Sequence, residues 1–505
     1  MKFIDFDVKI DYPKEIFAGM TVAMTMIPES LSFAILAGLS PQVGLYAAFL
    51  MGLVTSVLGG RPGLVSGGAG ATVVVIMALA ASHGVQYLFA AVLLAGVVQF
   101  LVGLFRWGKF VRLIPQPVMY GFLNGLAIII FMAQVAQFRV NGNGSSWMQG
   151  PALFWMIGLT LITIAVVRMM PRLTKKIPAS LTAIVVVFAL VKSTGLSTRT
   201  VGDIAAVSGG WPVFSWPQVP WTLDTFQIVL PYALLMASVG LIESLLTLSM
   251  VDEMTQTRGS TNRESMAQGI ANFVNGIFGG MGGCAMVAQT IVNLEAGSRT
   301  RLSAFIASIV ILLIILIGGP VIEQIPMAAL VGVMMMAAVS TFQWNFLRVI
   351  NRMPRMDIFV GILVAVITVA SNNLAIAVLV GVIISALSFA WESAKRIRAR
   401  RYIDDQGVKH YDIYGPLFFG SVAIFNEKFD IQNDPDEVII DFRESRVVDM
   451  SAIEALNKLT RRYKEAGKTI RLTHLSPDCH RLIKNADKVI EVNVIEDPTY
   501  TVLSK

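Results

Sequence analysis

For four hundred residues this chain scarcely carries a charge. Of its 505 residues, 1–400 hold 40 Asp, Glu, Lys and Arg, whereas the last 105 hold 33. Soluble domains are about one quarter charged. Residues 1–400 therefore read as a membrane body, and 401–505 as a soluble domain of ordinary size. A disordered chain, a disulfide scaffold and an ordinary soluble enzyme are excluded. The two cysteines, Cys284 and Cys479, lie one in each part, and His83, His410, His474 and His480 are scattered, so no metal set is expected. The net charge of +7 fits cytoplasmic loops beside membrane lipid rather than nucleic acid. The N-terminus, M-K-F-I-D-F-D, lacks a signal-peptide apolar core.

A span takes about 20 apolar residues, fewer where a helix is broken inside protein. Fourteen candidate segments are read near 15–38, 42–59, 70–81, 85–105, 117–137, 151–169, 177–192, 227–251, 263–279, 286–297, 302–318, 326–343, 356–371 and 374–394. With the N-terminus inside, the loops after even-numbered spans carry most of the cations, among them Arg61, Arg106, Arg172, Arg258, Arg299, Arg301, Arg348 and the run Lys395–Arg401. Both termini are therefore expected in the cytoplasm. Trp211, Trp216 and Trp221, in a Pro-rich stretch, suit an outer interfacial loop.

The body also repeats itself. P-E-S-L-S at Pro28–Ser32 matches I-E-S-L-L at Ile242–Leu246, an offset of 214 between Glu29 and Glu243. The short segment 70–81 follows Gly67-Gly68, and the short segment 286–297 follows Gly282-Gly283, an offset of 215. Two halves of seven spans result, about 15–192 and 227–397. Seven is odd, so the second half is inverted. Inverted repeats with paired broken helices mark a secondary transporter.

A broken helix presents free N–H groups and a positive dipole end at mid-membrane, which favours an anion. The candidates are Gly70, Ala71 and Thr72 at one end, and Ala285, Met286, Val287 and Ala288 at the other. The alternative is that these small residues only permit close packing. Glu29 and Glu243 are intramembrane carboxylates that require a partner, a proton or a water-filled cavity. They read either as coupling sites for H⁺ or Na⁺ or as hydrogen-bond anchors. Thr247 lies one turn beyond Glu243 and could share its site or bond its own helix. Phe33, one turn beyond Glu29, could wall the cavity. Gln289 is open to either role.

The tail alternates strand and helix patterns. Strands with a turn are expected in His410–Gly420, a buried strand at Glu437–Phe442, an amphipathic helix at Ala452–Ala466, a strand at Thr469–Thr473 and a helix at Asp478–Asn485. This is a small α/β domain without a phosphate loop or nucleophile elbow. In D-M-S (Asp449–Ser451), Ser451 is expected to cap the helix; regulation by phosphorylation or ligand sensing is the alternative.

Several stretches together resemble one family. They are Ile27–Phe49 (I-P-E-S-L-S-F-A-I-L-A-G-L-S-P-Q-V-G-L-Y-A-A-F), Gly60–Ala71, Ile114–Gly125 and Asn293–Arg301, with Ile413–Gly420 and Val447–Ala452 in the tail. The chain resembles the SulP (sulfate permease) anion transporters with a C-terminal STAS domain. The resemblance implies a bacterial inner-membrane protein of fourteen spans in 7+7 inverted repeats, with core and gate domains over 1–400 and a cytoplasmic STAS domain over 401–505. It implies anion binding between the third and tenth helices, elevator-type alternation and a homodimer. It also makes the tail similar to anti-sigma-factor antagonists, whose phosphorylated serine falls on Ser451, with a cytoplasmic protein as possible partner. The P-E-x-x-x-F-A-I variant is closest to the bicarbonate-transporter-like branch. Glu243 falls where the sodium symporters carry an Asp, Val287 where they carry a sodium-binding Thr, and Gln289 where many animal members carry Arg. The expected function is secondary active transport of a small inorganic anion, bicarbonate or sulfate, coupled to H⁺ or Na⁺. No cofactor is expected, apart from Na⁺ at Glu243 if that ion is the coupling ion. The alternatives are an uncoupled anion exchanger, a channel-like conductor of chloride or other anions, and a membrane sensor signalling through its tail.

Overall fold

A computed structural model of the chain describes residues 10–108, 115–140, 146–173, 178–204, 210–371 and 374–475. The chain divides into two compact units, Met1–Val382 and Ile383–Lys505. The first unit is helical. It contains α1 (Tyr12–Leu36), α2 (Pro41–Leu58), α3 (Gly70–His83), α4 (Val85–Leu104), α5 (Gln116–Ala136), α6 (Pro151–Leu173), α7 (Ala179–Thr194) and α8 (Leu223–Thr255). It continues with α9 (Thr261–Ile277), α10 (Val287–Glu295), α11 (Leu302–Ile317), α12 (Gly319–Glu323), α13 (Met327–Thr341), α14 (Trp344–Val349), α15 (Arg355–Ser371) and the first part of α16 (Leu374–Lys395). Each apolar segment of the sequence is thus a helix, with the short α12 and α14 added between them. Among the described residues, eight stretches are long and apolar enough to cross a membrane, and α3, α7 and α11 are shorter apolar helices. Helix starts follow local chemistry. The Asp11 and Thr222 side chains accept from N–H groups in the first turns of α1 and α8, and prolines open α2 and α5.

The helices pack as two groups. The first is α1–α4 with α8–α11, and the second is α5–α7 with α13 and α15. Contacts of α1 with α7 and α13, and of α3 with α5, join them. Within the first group the halves interlock crosswise, α1 against α10 and α8 against α3.

At the centre of that group lie two strands absent from the sequence reading. The glycine clusters hold β1 (Ser66–Gly67) and β2 (Cys284–Ala285), paired antiparallel with Ser66 opposite Ala285 and Gly67 opposite Cys284. This backbone is buried, so its polar groups need protein partners. Met286 N donates to Val65 O (2.9 Å), and Val65 N to Thr290 Oγ1 (3.1 Å). Asn272 both accepts from Gly283 N (2.8 Å) and donates to Gly283 O (3.0 Å). Ala285 N donates to Ser244 Oγ (3.0 Å). Gln268 Nε2 donates to Ser66 Oγ (2.7 Å). The crossing leaves no room for a side chain at Gly283, where a Cβ would overlap the Gly67 carbonyl oxygen.

The ends of the repeats are also tied. Buried Glu15 of α1 accepts from Arg299 N, Thr300 N and Ser303 N at 2.8–3.1 Å, fixing the start of α11. Buried Glu264 accepts from Gly60 N (2.7 Å), and Arg61 lies 3.2 Å from Asp252. These anchors join α1 to the α10–α11 turn and the α2–β1 turn to α8 and α9.

The tail sheet runs in the order β3 (Arg398–Ile403), β4 (Lys409–Leu417), β5 (Glu437–Val447), β6 (Thr469–Thr473). The β3–β4 pair is antiparallel; β4–β5 and β5–β6 are parallel. Helix α17 (Val422–Asn426) follows β4, and α18 (Met450–Glu465) follows β5. Three details differ from expectation. The basic run supplies an edge strand, β3. His410–Leu417 lies within one continuous strand, because a register shift between Asp412 and Tyr414 absorbs the irregularity. The α18 N-cap is Asp449, whose Oδ1 accepts from Ala452 N (2.9 Å), while Ser451 sits inside the first turn. The expected helix at Asp478–Asn485 falls outside the described residues.

One face of the sheet packs Tyr411, Ile413, Val438, Ile440, Phe442 and Leu472 against Ile453, Leu456 and Tyr463. Asp434 is the polar pin of this core. Its carboxylate, with no exposed side-chain surface, takes Lys409 Nζ at 2.6 Å and the Tyr411 and Tyr463 hydroxyls. Burial raises both phenols above their ordinary range, and the contact with Asp434 adds to it. The same contact raises the Lys409 ammonium. All three therefore stay protonated donors at neutral pH.

Two outcomes are expected. Gly283→Ala should destabilise the membrane unit by about 3 kcal/mol, read as a lowered thermal midpoint of the purified protein. Asp434→Asn should cost the tail about 3 kcal/mol, read as faster hydrogen exchange of β4 and α18 in the full chain, with α4 and α9 unchanged.

Candidate functional site

The β1–β2 ladder places two helix starts beside each other. Gly70 opens α3 three residues after β1, and Val287 opens α10 two residues after β2. Since the strands are antiparallel, the helices leave the ladder at opposite ends with their N-termini turned towards it. A residue advances at most about 3.6 Å, so each N-terminus lies within roughly 10 Å of the ladder.

Neither start is capped by a side chain. The N-cap residues are Ala69 and Met286, and neither makes a side-chain capping hydrogen bond. The first intrahelical bonds are Val73 N to Ala69 O and Thr290 N to Met286 O. The preceding N–H groups are those of Gly70, Ala71 and Thr72 on one side, and of Val287, Ala288 and Gln289 on the other. These are donors an anion can take. Ala285 and Met286 have another task, because their N–H groups already serve Ser244 and Val65. Val287 (37% exposed) and Ala288 are open, whereas Gly70, Ala71 and Thr72 are buried.

Helix α1 covers both starts with residues one turn apart. Glu29 Oε2 accepts from Gln289 Nε2 in the first turn of α10. The Phe33 ring lies over Gly70, where a Cβ would come within 2.7 Å of Phe33 Cε1 and 3.2 Å of Ile130 Cδ1 from α5. Pro28 lacks an N–H, so the α1 ladder is interrupted beside Glu29. On the other half, Glu243 Oε2 accepts from Cys284 Sγ (2.9 Å) in β2. Thr247 Oγ1 donates to the Glu243 main-chain carbonyl (2.7 Å), so its proton serves its own helix. Each carboxylate is thus tied to the β2–α10 segment by a neutral donor. Among the described residues, no cluster of three or more His, Cys, Asp or Glu could hold a metal ion.

The sequence reading brought Glu29, Phe33 and the two helix starts together but left the buried amides out. Gln99 Oε1 accepts from Asn272 Nδ2 (2.8 Å), which in turn holds Gly283. Their signal was present as Gln99 within the otherwise apolar run Leu88–Leu104 of α4 and as Asn272 and Asn275 one turn apart in α9. In the tail, Asp449 Oδ2 also accepts from Phe419 N (2.8 Å), so Asp449 is a structural bracket, and Ser451 is exposed beside it.

A methyl group at Gly70 must displace Phe33 or Ile130. Gly70→Ala should therefore weaken anion affinity on the order of tenfold, measured by equilibrium binding to the purified protein. Unchanged affinity would remove this helix start from the site.

The sequence as a whole matches two family models, the Sulfate permease family over residues 13–365 and the STAS domain over 402–499. "Putative sulfate transporter YbaR" of Bacillus subtilis is 41% identical over 471 residues, covering 93% of this chain and 96% of that protein. The solved transmembrane domain of a cyanobacterium bicarbonate transporter, BicA, is 30% identical, with a TM-score of 0.65 over 74% of this chain and 98% of that one. The overall structure of SLC26A9 shares the fold at 17% identity, with a TM-score of 0.81 over 97% of this chain and 90% of that one. The chain belongs to the sulfate permease family of membrane anion transporters and carries a STAS domain.

Proposed function

We propose that this protein is a secondary active transporter of a small inorganic anion, bicarbonate or sulfate, coupled to H⁺ or Na⁺ at Glu243. The observation that carries this reading is the buried ladder that holds two uncapped helix starts together. The names of its relatives support the choice of anions. The anion lies between the N–H groups of Gly70–Thr72 and of Val287–Gln289, beside Glu29 and Phe33, with Ala285 and Met286 holding the geometry. Two carboxylates close to this place oppose an anion unless a proton or Na⁺ neutralises them. Such neutralisation couples the two movements: cation binding at Glu243 admits the anion, and the loaded site crosses together.

The reading extends to fourteen spans in a bacterial inner membrane with both termini cytoplasmic, as the loop charges favour. The two helix groups suit a core that moves against a gate, in a homodimer. Ser451 with Asp449 is the regulatory point of the tail, offered to a cytoplasmic partner.

The test is uptake of labelled sulfate and bicarbonate by proteoliposomes under a Na⁺ gradient, a proton gradient or neither. One anion should accumulate with one gradient. Glu243→Gln should abolish that dependence while leaving anion binding detectable. Dependence that survives in this variant would sink the coupling role. Currents far above transporter turnover would replace it with an uncoupled conductor.

A further inference from the structure

The second unit contains a surface that neither its core nor the anion site explains. Helix α16 is apolar enough to span a membrane from Ile376 to Lys395, and it ends as an interfacial helix does. Trp391 is 65% exposed, with Lys395 Nζ 4.8 Å from its ring centroid. Only Arg396 and Ile397 separate α16 from β3, and Ile397 is already buried in the tail core.

The loop after β4 folds back onto this same end. A Cβ on Gly420 in this loop would lie 3.4 Å from Ala394 Cβ, and within β4 itself one on Gly415 would lie 3.0 Å from the Arg396 carbonyl oxygen. That loop is pinned to the start of α18, by Phe419 N to Asp449 Oδ2 (2.8 Å) and by Val448 N to Leu417 O (3.0 Å). Three segments therefore meet where the last span enters the domain. Among the described residues after α16, the exposed large hydrophobic side chains are Tyr402, Ile403, Phe419, Val448 and Met450. Three of these five, Phe419 (68% exposed), Val448 and Met450, lie at this end. In the passage from α16 into β3, Lys395, Arg396 and Arg398 are all exposed, with Arg396 Nη2 3.9 Å from Glu392 Oε2.

We infer that this end of the domain, with exposed Phe419, Val448 and Met450 and the exposed cations Lys395, Arg396 and Arg398, seats on anionic phospholipid headgroups. The inference rests on α16 being a span. Given that, the surface stands at headgroup level. A strand residue advances about 3.3 Å, so Arg398 lies within about 10 Å of Lys395, one Debye length. Apolar side chains that dip into the acyl boundary, with cations at phosphate level, are the chemistry of interfacial binding. Ser451 is exposed beside Met450, so a phosphate there would oppose the headgroups.

The test is hydrogen exchange of the full chain in nanodiscs of phosphatidylcholine alone or mixed with phosphatidylglycerol. The phosphatidylglycerol discs should slow exchange across residues 396–400 and 415–420 at least about tenfold, with α18 beyond its first turn unchanged. Raising the salt should reverse this in the unmodified protein. The variant K395Q/R396Q/R398Q should lose the difference between the two lipids, and F419S should reduce it. Equal exchange in the two lipids would overturn the inference. Equal protection in both, insensitive to salt, would do so too, and would assign the surface to a protein neighbour such as a second copy of this chain. If the lipid effect stands while Glu243→Gln leaves transport coupling intact, the lipid site survives and the coupling reading fails.

Discussion

A backbone ladder of two residues on each side, buried among helices, is the constraint from which the rest of the membrane unit follows. Peptide groups in an apolar interior must be satisfied by protein. Two strands that meet there commit both halves of the chain to one arrangement. The broken helices α3 and α10 are consequences of the ladder: the chain becomes helical again only where it leaves the pairing. The uncapped N–H groups next to the ladder are thus produced by the same feature that holds the halves together. Asn272 and Ser244 satisfy this backbone directly, Gln99 holds Asn272 in turn, and Gln268 holds the Ser66 hydroxyl.

The two carboxylates show how far the internal symmetry reaches. Glu29 and Glu243 occupy matching places in the two halves, yet Glu29 is held by Gln289 from the opposite half and Glu243 by Cys284 of its own half. The repeat sets the positions of the acids, and individual side chains then distinguish them. Nothing in the symmetry requires the two to share a role, since one is held across the halves and the other within its own half.

Much of this was legible in the sequence, for reasons that differ by element. The helices were, because a run of apolar residues with almost no charge has few other solutions in a membrane. The paired breaks were, because glycine clusters recur at nearly one offset. The ladder was not: Ser66–Gly67 and Cys284–Ala285 have no alternation and little strand propensity, and only their meeting makes them strands. The Glu29–Gln289 contact joins residues 260 apart, and no local pattern reports such a pairing. In the tail, Arg398–Ile403 reads as a charged connection because edge strands tolerate cations. Asp434 reads as a surface acid within Q-N-D-P-D-E until Tyr411 and Tyr463 close over it. Ser451 reads as the helix cap because it precedes the apolar pattern, but Asp449 takes the cap with one oxygen and uses the other to hold Phe419.

The two-residue passage from α16 into β3 has a mechanical meaning. A flexible linker would let the last helix and the sheet rotate independently. Here Ile397 is embedded in the sheet's core, Arg396 N still bonds Ser393 O of α16, and strand pairing begins at Arg398. Torque about the axis of α16 has no slack in which to dissipate, so a turn of that helix swings the sheet as a crank turns its handle. The lever also works in reverse, and whatever grips the sheet applies a twisting load to the end of the helix.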